Sequence, residues 1–596
     1  MKITFKSKLW RSYKGAELIS TGKVLIYSVI VGIIAGLGAI VFLILIHFFY
    51  TYVLGNVAGY SISSPAGEPL IFGEMHKTFN PVLLILVTTC GGLLSGFIVY
   101  TFAPEAEGHG TDAAIEAYHQ KRGIIRPVVP FIKMIASAIT LGTGGSGGRE
   151  GPIAQIGAGF GSFLARKLKL SERDRRILLA AGMGAGIGAI FRSPMAGAVF
   201  AGEVLYRELE IESEVLLSAF IASIVAYSIF AAKFGWLPLF STAAFKFTNP
   251  LELIPYTTLA VIVSLFSYIY VKVFYGIRDI FHRIHIKPHL KPAIGGFFVG
   301  IIGVFMPQAI SMGYGTLQLA MWGKIAFTTL FLIAFLKIFA TAFTISSGGS
   351  AGVFGPSMVI GGTLGGAVGG FFHYILPTFV QQPGAFVLVG MAGFFSAAAN
   401  APLSTIIMVA EMTGNYDLIV PAMWVSAISY FISRKWTIYE KQMENRGYSP
   451  AHRYEFLRHA LQSIKIKDIM KKEFKIISES TPLRDIFSIL SSEKLDDIPV
   501  VNTEGKLTGI VTLHDIKAVL DSPEVSKMLV AEDVANLNVI SITPNESLHD
   551  ALHKIGFKEV NTLPVVDEKD KTKIIGIVRR KDITRIYNEI VEEIGS

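Results

Sequence analysis

The chain has 596 residues, of which 51% are apolar and only 17% charged, and its mean hydropathy is +0.51; this excludes an ordinary soluble enzyme or nucleic-acid factor of that length. A net charge of +9 would suit nucleic acid, but the basic residues sit in short blocks between apolar runs, so no nucleic-acid partner is expected. The lone Cys90 excludes both a disulfide framework and a Cys-based metal site.

In chain order, apolar runs such as Val24–Tyr50 and Pro81–Thr101 are long enough to cross about 30 Å of hydrocarbon. The first run is too long for a cleavable signal, and no small-residue cleavage pattern follows it. Basic clusters occur at Lys2–Lys23, Lys121–Arg126, Arg166–Arg176, Arg278–Lys291 and Arg434–Arg446, whereas Gly55–Asn80 and Ala232–Asn249 are poor in them. The positive-inside rule then puts the basic loops and both termini in the cytoplasm, within an inner or cell membrane.

Two glycine-rich turns end in proline inside apolar sequence: GGSGGREGP, Gly144 to Pro152, and GGSAGVFGP, Gly348 to Pro356. Glycine permits a tight turn, and proline fits the first helical turn, where its missing N–H costs nothing. Each motif predicts a helix that begins at membrane depth, with free N–H groups suited to an anion. Ala189–Glu203 and Ala397–Glu411 also correspond, each with a proline nine residues before a glutamate. The membrane part therefore divides into two related halves, roughly 23–230 and 251–444, a pattern that fits inverted-topology repeats with broken helices. Close helix packing explains the number of glycines, but not this repeated order.

Composition changes near residue 450, within Asn445–Ile464. The expected division is a transmembrane domain over 1–455 and a soluble cytoplasmic tail over 456–596.

GREGP (Gly148–Pro152), GVFGP (Gly352–Pro356), PEAEGHG (Pro104–Gly110), EMTGNY (Glu411–Tyr416) and IYEKQ (Ile438–Gln442) resemble the signature segments of the CLC chloride channels and transporters. The resemblance implies a homodimer embedded in lipid, with an anion pathway in each subunit and no enzymatic activity. It also implies that the helices bearing Pro194–Glu203 and Pro402–Glu411 lie near the dimer interface. Glu150 matches the family's gating glutamate; a carboxylate at a helix N-terminus can occupy the cradle that a permeating anion needs. A salt bridge to Arg149 is the structural alternative. The backbone of Val353 and Phe354 matches the central anion site, and Tyr439 the inner-gate tyrosine. Gly110, Arg149, Gly151 and Gly352 belong to the same pathway segments. No cofactor or metal is required, and chloride is the expected transported ligand.

Two departures stand out. Where the family usually has GSGIP, this chain reads GHGTD, so His109 replaces a serine and Asp112 a proline. Either the imidazole joins the anion site, altering selectivity or making transport pH-sensitive, or it turns away and backbone amides bind the anion. Family exchangers commonly carry a proton-relay acid at the position of Val204; a valine there favours passive conduction over proton-coupled antiport. Glu203, one position off, faces the interface or bundle rather than that route. Lys133 either raises the potential along the pathway, snorkels or pairs with a carboxylate.

The tail repeats IPVV (Ile498–Val501) and GIVTLHDI (Gly509–Ile516) as LPVVDE (Leu563–Glu568) and GIVRRKDI (Gly576–Ile583). This resembles a tandem of CBS domains, about 464–522 and 531–587, which implies paired α/β modules and a possible adenine-nucleotide site at Thr512, Asp515 and Asp582. Arg579 stands where the second module would have Ser or Thr. A dimerising tail without ligand is the alternative. His549 and His553 have zinc-protease spacing, but Asp550 replaces the general-base glutamate and no third ligand is evident, so no metal site is expected. A CBS-regulated magnesium transporter would share the architecture, but a hard cation needs clustered carboxylates at pore depth.

Overall fold

Helices dominate as far as Arg446, and the chain from Gly447 onward forms a second unit with strands. The computed structural model describes residues 2–61, 63–69, 71–73, 77–493, 495–520, 528–558 and 560–595. Among the described residues seven helices are long and apolar enough to cross a membrane, including Pro81–Phe102, Ser213–Phe234 and Phe354–Ile375. Shorter apolar helices, such as Val129–Gly142 and Pro402–Thr413, supply the broken elements.

The repeat extends well beyond the glycine turns. Pro81–Phe102, Thr111–His119, Val129–Gly142, Glu150–Lys167, Glu172–Ile190 and Pro194–Glu203 follow one another in the first half. Lys291–Phe305, Tyr314–Met321, Phe327–Ser346, Phe354–Ile375, Pro383–Ala399 and Pro402–Thr413 follow in the second. Left-handed backbone falls at matching points: φ is +98° at Gly144 and +101° at Gly348, +84° at Gly110 and +83° at Gly313, +58° at Arg192 and +55° at Asn400. A non-glycine residue rarely takes that conformation, so its recurrence at Arg192 and Asn400 records the same turn built twice.

Hydrogen bonds repeat with it. Ser350 Oγ donates to the Ala106 carbonyl at 2.9 Å, and its mate Ser146 Oγ reaches the Ala309 carbonyl at 3.4 Å. The Glu203 carboxylate accepts from the N–H groups of Leu403 and Ser404 at 2.8 and 2.7 Å, at the start of Pro402–Thr413. The Glu411 carboxylate accepts from Met195 and Ala196 at 3.3 and 2.9 Å, at the start of Pro194–Glu203. Each half thus caps a helix of the other. That defines the role of Glu203: its charge is held by a helix N-terminus, which favours a carboxylate both as acceptor and through the dipole.

Small residues let the paired helices approach. A Cβ on Gly157 would collide with the Gly182 carbonyl, and one on Gly361 with the Gly390 carbonyl, again at matching positions of the two halves.

The second unit holds two α/β modules. In the first, β1 (Ile477–Ser478) runs parallel to β2 (Asp497–Val501), which pairs antiparallel with β3 (Leu507–Thr512). In the second, β4 (Thr562–Val566) and β5 (Ile574–Arg579) pair antiparallel with the same bulge, and Ile542 bridges in parallel to Val565 where β1 would lie. Separate cores form around Ile486, Ile498 and Val511, and around Ile542, Leu563 and Val578. The modules meet where Leu507 N–H donates to the Thr572 carbonyl at 2.7 Å and where the Thr562 hydroxyl donates to Asp497. Burial pushes the Asp497 carboxyl up, against a partial offset from Thr562.

Gly157→Ala and Gly361→Ala are each expected to destabilise the protein by about 1–3 kcal/mol, read as a lower Tm of the purified chain. Gly276→Ala, with open space around its Cα, should leave Tm in place; equal Tm for all three would contradict the close approach. In the tail, the raised folded pKa of Asp497 means its stabilising share is complete below the ordinary carboxylate range and lost as pH rises through the folded value. Asp497→Asn should therefore raise the denaturation midpoint at neutral pH and lose that advantage in acid; a fall at neutral pH would contradict the assignment.

Candidate anion pathway

The two glycine turns meet back to back. Gly148 N–H donates to the Gly352 carbonyl and Gly352 N–H to the Gly148 carbonyl, both at 2.7 Å. This pair brings the starts of Glu150–Lys167 and Phe354–Ile375 together. The first amides of a helix have no intrahelical acceptor, so two sets of N–H donors converge on one space.

Glu150 occupies that space. Its side chain is 2% exposed, Oε2 accepts from the Gly355 N–H at 3.1 Å, and Oε1 has no partner. A Cβ on Gly148 would overlap the Glu150 carboxylate, and one on Gly355 would lie 3.0 Å from Oε1. Glycine at these two positions therefore leaves room for the carboxylate. Val353 and Phe354 are buried at the start of the second helix.

Arg149 does not pair with Glu150. Its Nη1 donates to Glu68 Oε1 at 2.8 Å, the same oxygen that lies 2.9 Å from His47 Nε2. The guanidinium also lies 5.3 Å from the Tyr314 ring centroid. A buried cation needs a counter-charge, and Glu68, from the connection before Asn80, provides it. Arg149 Nε is buried without a hydrogen-bond partner. Sequence reasoning missed Glu68, His47 and Tyr314. The Tyr314 hydroxyl is another buried orphan, and a Cβ on Gly355 would lie 2.5 Å from it.

On the other side of the turns, His109 is 8% exposed; Nε2 lies 3.2 Å from Asp112 Oδ2, and Nδ1 has no partner. Its ring centroid is 5.4 Å from that of Tyr439, a fully buried residue whose hydroxyl is also unpartnered. Asp112 Oδ2 and Oδ1 accept from the N–H groups of Glu440 and Lys441, each at 3.1 Å, which anchors the segment that carries Tyr439. The imidazole thus stands beside the tyrosine ring.

Gly110, Gly151 and Gly352 are packed against one another. A Cβ on Gly110 would lie 2.7 Å from the Gly151 carbonyl, and one on Gly352 would lie 2.8 Å from the Gly151 nitrogen. Space accounts for Gly151 and Gly352, and Gly110 also has left-handed backbone that favours glycine.

Lys133 neither snorkels nor pairs with a carboxylate. Fully buried, it donates to the Ala106 and Gly108 carbonyls at 3.0 and 2.7 Å. Lys337 does the same in the second half, to the Ile310 and Ser311 carbonyls at 3.4 and 2.5 Å. Val204 is fully buried at the end of its helix, and its carbonyl accepts from Gln442.

In the tail, Thr512 N–H and Oγ donate to Asp515 Oδ2 at 3.0 and 2.7 Å, and Asp515 N–H returns to Thr512 Oγ at 3.2 Å. This is a capping box at the start of Leu513–Leu520. Asp582 lies 3.1 Å from Lys471 Nζ. The cleft between the modules, about 690 Å³, is lined by Asp496, Asp497, Thr562, Arg579, Arg580 and Arg585 among others, and not by Thr512, Asp515 or Asp582. The three residues expected to hold a nucleotide are thus not gathered in it.

Comparison with known proteins matches residues 91–434 to the voltage gated chloride channel family, and 466–522 and 530–589 to the CBS domain. A Ralstonia nicotianae protein named as a ClcB-like chloride channel protein is 29% identical over 350 residues, which are 58% of this chain and 81% of that protein. Among solved structures, a slow cyanobacterial Cl⁻/H⁺ antiporter has TM-score 0.61 and 24% identity, with 69% of this chain and 94% of that one covered. A CLC-type fluoride/proton antiporter has TM-score 0.59 and 21% identity, with 71% and 98% covered. A eukaryotic CLC transporter has TM-score 0.58 and 18% identity, with 95% and 98% covered.

Glu68→Ala leaves the Arg149 guanidinium buried without its counter-charge, with an expected cost of about 3–5 kcal/mol, read as a large fall in Tm. Glu68→Gln keeps an acceptor and should fall less; an unchanged Tm in both would contradict this pairing.

Proposed function

The chain belongs to the voltage gated chloride channel family, and from that premise we propose that it exchanges an anion, chloride in the first instance, for protons across the membrane. The observation that carries this reading is the Glu150 carboxylate, seated on the Gly355 N–H with its second oxygen unpartnered. Ionised, it competes with an anion for the helix N-termini. Protonated, it loses its hold on them and the anion takes the seat, so the seat holds either the ionised carboxylate or, once Glu150 has taken up a proton, the anion. The fold neighbours described as Cl⁻/H⁺ and fluoride/proton antiporters support exchange.

Passive conduction is the second reading, and Val204 favours it: a buried valine cannot relay protons at the position where exchangers commonly carry an acid. A magnesium transporter is disfavoured, because Glu150, Glu203 and Glu411 are each seated on separate backbone amides rather than clustered.

Further parts of the reading are a homodimer with one pathway per subunit, an inner or cell membrane, and cytoplasmic termini. The basic loops support that orientation. Exposed Met195 and Leu403, beside the reciprocally capped helices, suit an interface there. In the tail, the arginine-rich cleft favours an anionic ligand such as an adenine nucleotide, in place of the Thr512 and Asp515 site.

Anion efflux and proton movement recorded together in proteoliposomes test the reading. Exchange predicts uphill proton movement in wild type, lost in Glu150→Ala while anion flux persists. Wild-type anion flux without opposed protons would instead establish a channel.

A further inference from the structure

The GHGTD loop joins three things that sequence alone leaves separate: an imidazole, a carboxylate and the segment that carries the inner tyrosine. Asp112 Oδ2 lies 3.2 Å from His109 Nε2, and the same carboxylate accepts two N–H groups, from Glu440 and Lys441. Both oxygens of this carboxylate accept backbone N–H groups and offer lone pairs to a further donor. An Nε2–H tautomer of His109 matches that carboxylate better than a bare nitrogen would. In the neutral imidazole that leaves Nδ1 as a bare lone pair, which repels an anion. Nδ1 is the buried, unpartnered atom, and it belongs to a ring 5.4 Å from that of Tyr439, whose hydroxyl is also unpartnered.

We propose that Asp112 is a positioning residue that fixes the His109 tautomer, so that the imidazole becomes an anion ligand beside Tyr439 only when it is protonated. Anion and proton then bind together at this point, and Nδ1–H and the Tyr439 hydroxyl are the two donors. The proton comes from hydronium, whose O–H bond breaks as the N–H bond forms and which leaves as water; when the anion is released the proton returns to water. This rests on the reading that the pathway beside Tyr439 holds an anion. It also supplies a protonatable group to a chain whose usual relay position is Val204.

The other charged groups around the ring are engaged elsewhere. Lys133 Nζ is bound to the Ala106 and Gly108 carbonyls, Glu440 pairs with Arg278, and Lys441 lies 3.5 Å from Glu116. From the helix Leu253–Arg283, Phe274 stands against the imidazole, and the Tyr275 hydroxyl donates to the Ile438 carbonyl. Among the described residues, Asp112 is the one carboxylate within ion-pairing distance of His109.

The test is chloride titration calorimetry on the full chain in detergent, at about pH 5.5 and about pH 8, either side of the ordinary imidazole range. A Glu150→Gln background removes the competing carboxylate. One linked proton predicts affinity falling by up to about tenfold per pH unit above that range, and hence by at least about tenfold between the two conditions. Adding His109→Ser should make the affinities equal. Adding Asp112→Ala should cut the ratio to below about threefold, because the neutral ring can then present Nδ1–H. Imidazole ¹⁵N shifts of the background protein at about pH 8 provide a readout that needs no Asp112 variant, and should report the Nε2–H form for His109. Equal affinity at both pH values before either mutation, or an Nδ1–H form at high pH, would overturn the proposal alone. Absence of chloride binding at both pH values, with and without His109→Ser, would overturn the anion-site reading together with it.

Discussion

Helices that begin at membrane depth expose N–H groups with no water to satisfy them, and much of this fold answers that need with carboxylates. Glu203 caps the helix that Pro402 begins, and Glu411 caps the one that Pro194 begins, each in the opposite half. Those two caps, of two hydrogen bonds each, are reciprocal, so they hold the halves together. Glu150 on Gly355 is different. The residue at its position in the second half is Phe354, so no matching carboxylate returns to the first glycine turn. The symmetric caps are structural. The unpaired one seats Glu150 on a helix N-terminus, and in the proposed reading it is this asymmetric seat that an anion takes.

The same logic applies to the loops ahead of the turns. Lys133 and Lys337 hold equivalent loops by their carbonyls, without carboxylate partners. Burying an ammonium is expensive unless its protons are accepted, and the two loops turn their carbonyls inward to accept them. Within that shared frame the first half has His109 and Asp112 where the second has Met312 and Gly315. The polar pair again belongs to one half only, next to Tyr439.

The order of glycine turn, proline and glutamate is local and strongly constrained, so the two halves, the broken helices and the position of Glu150 can be read from the chain. The CBS-like modules are legible for a similar reason, since their strand and helix patterns recur at fixed spacing. What cannot be read is any partner supplied from a distance. Glu68 reaches Arg149 across 81 positions, and Asp112 reaches Glu440 across 328. Neither spacing has a period that a sequence pattern would reveal. The tail shows the opposite hazard: Thr512 and Asp515 look like ribose ligands, yet their spacing of three is also that of a helix cap, and the cap is what forms.

The central claim is that the Glu150 carboxylate occupies a seat that an anion can take. Bromide anomalous scattering from crystals of wild type and Glu150→Gln tests it most directly. The account predicts a bromide at the Gly355 N–H in the variant, where the carboxylate sits in wild type. Bromide absent from that position in the variant, with the glutamine side chain turned away and the seat open, would contradict it.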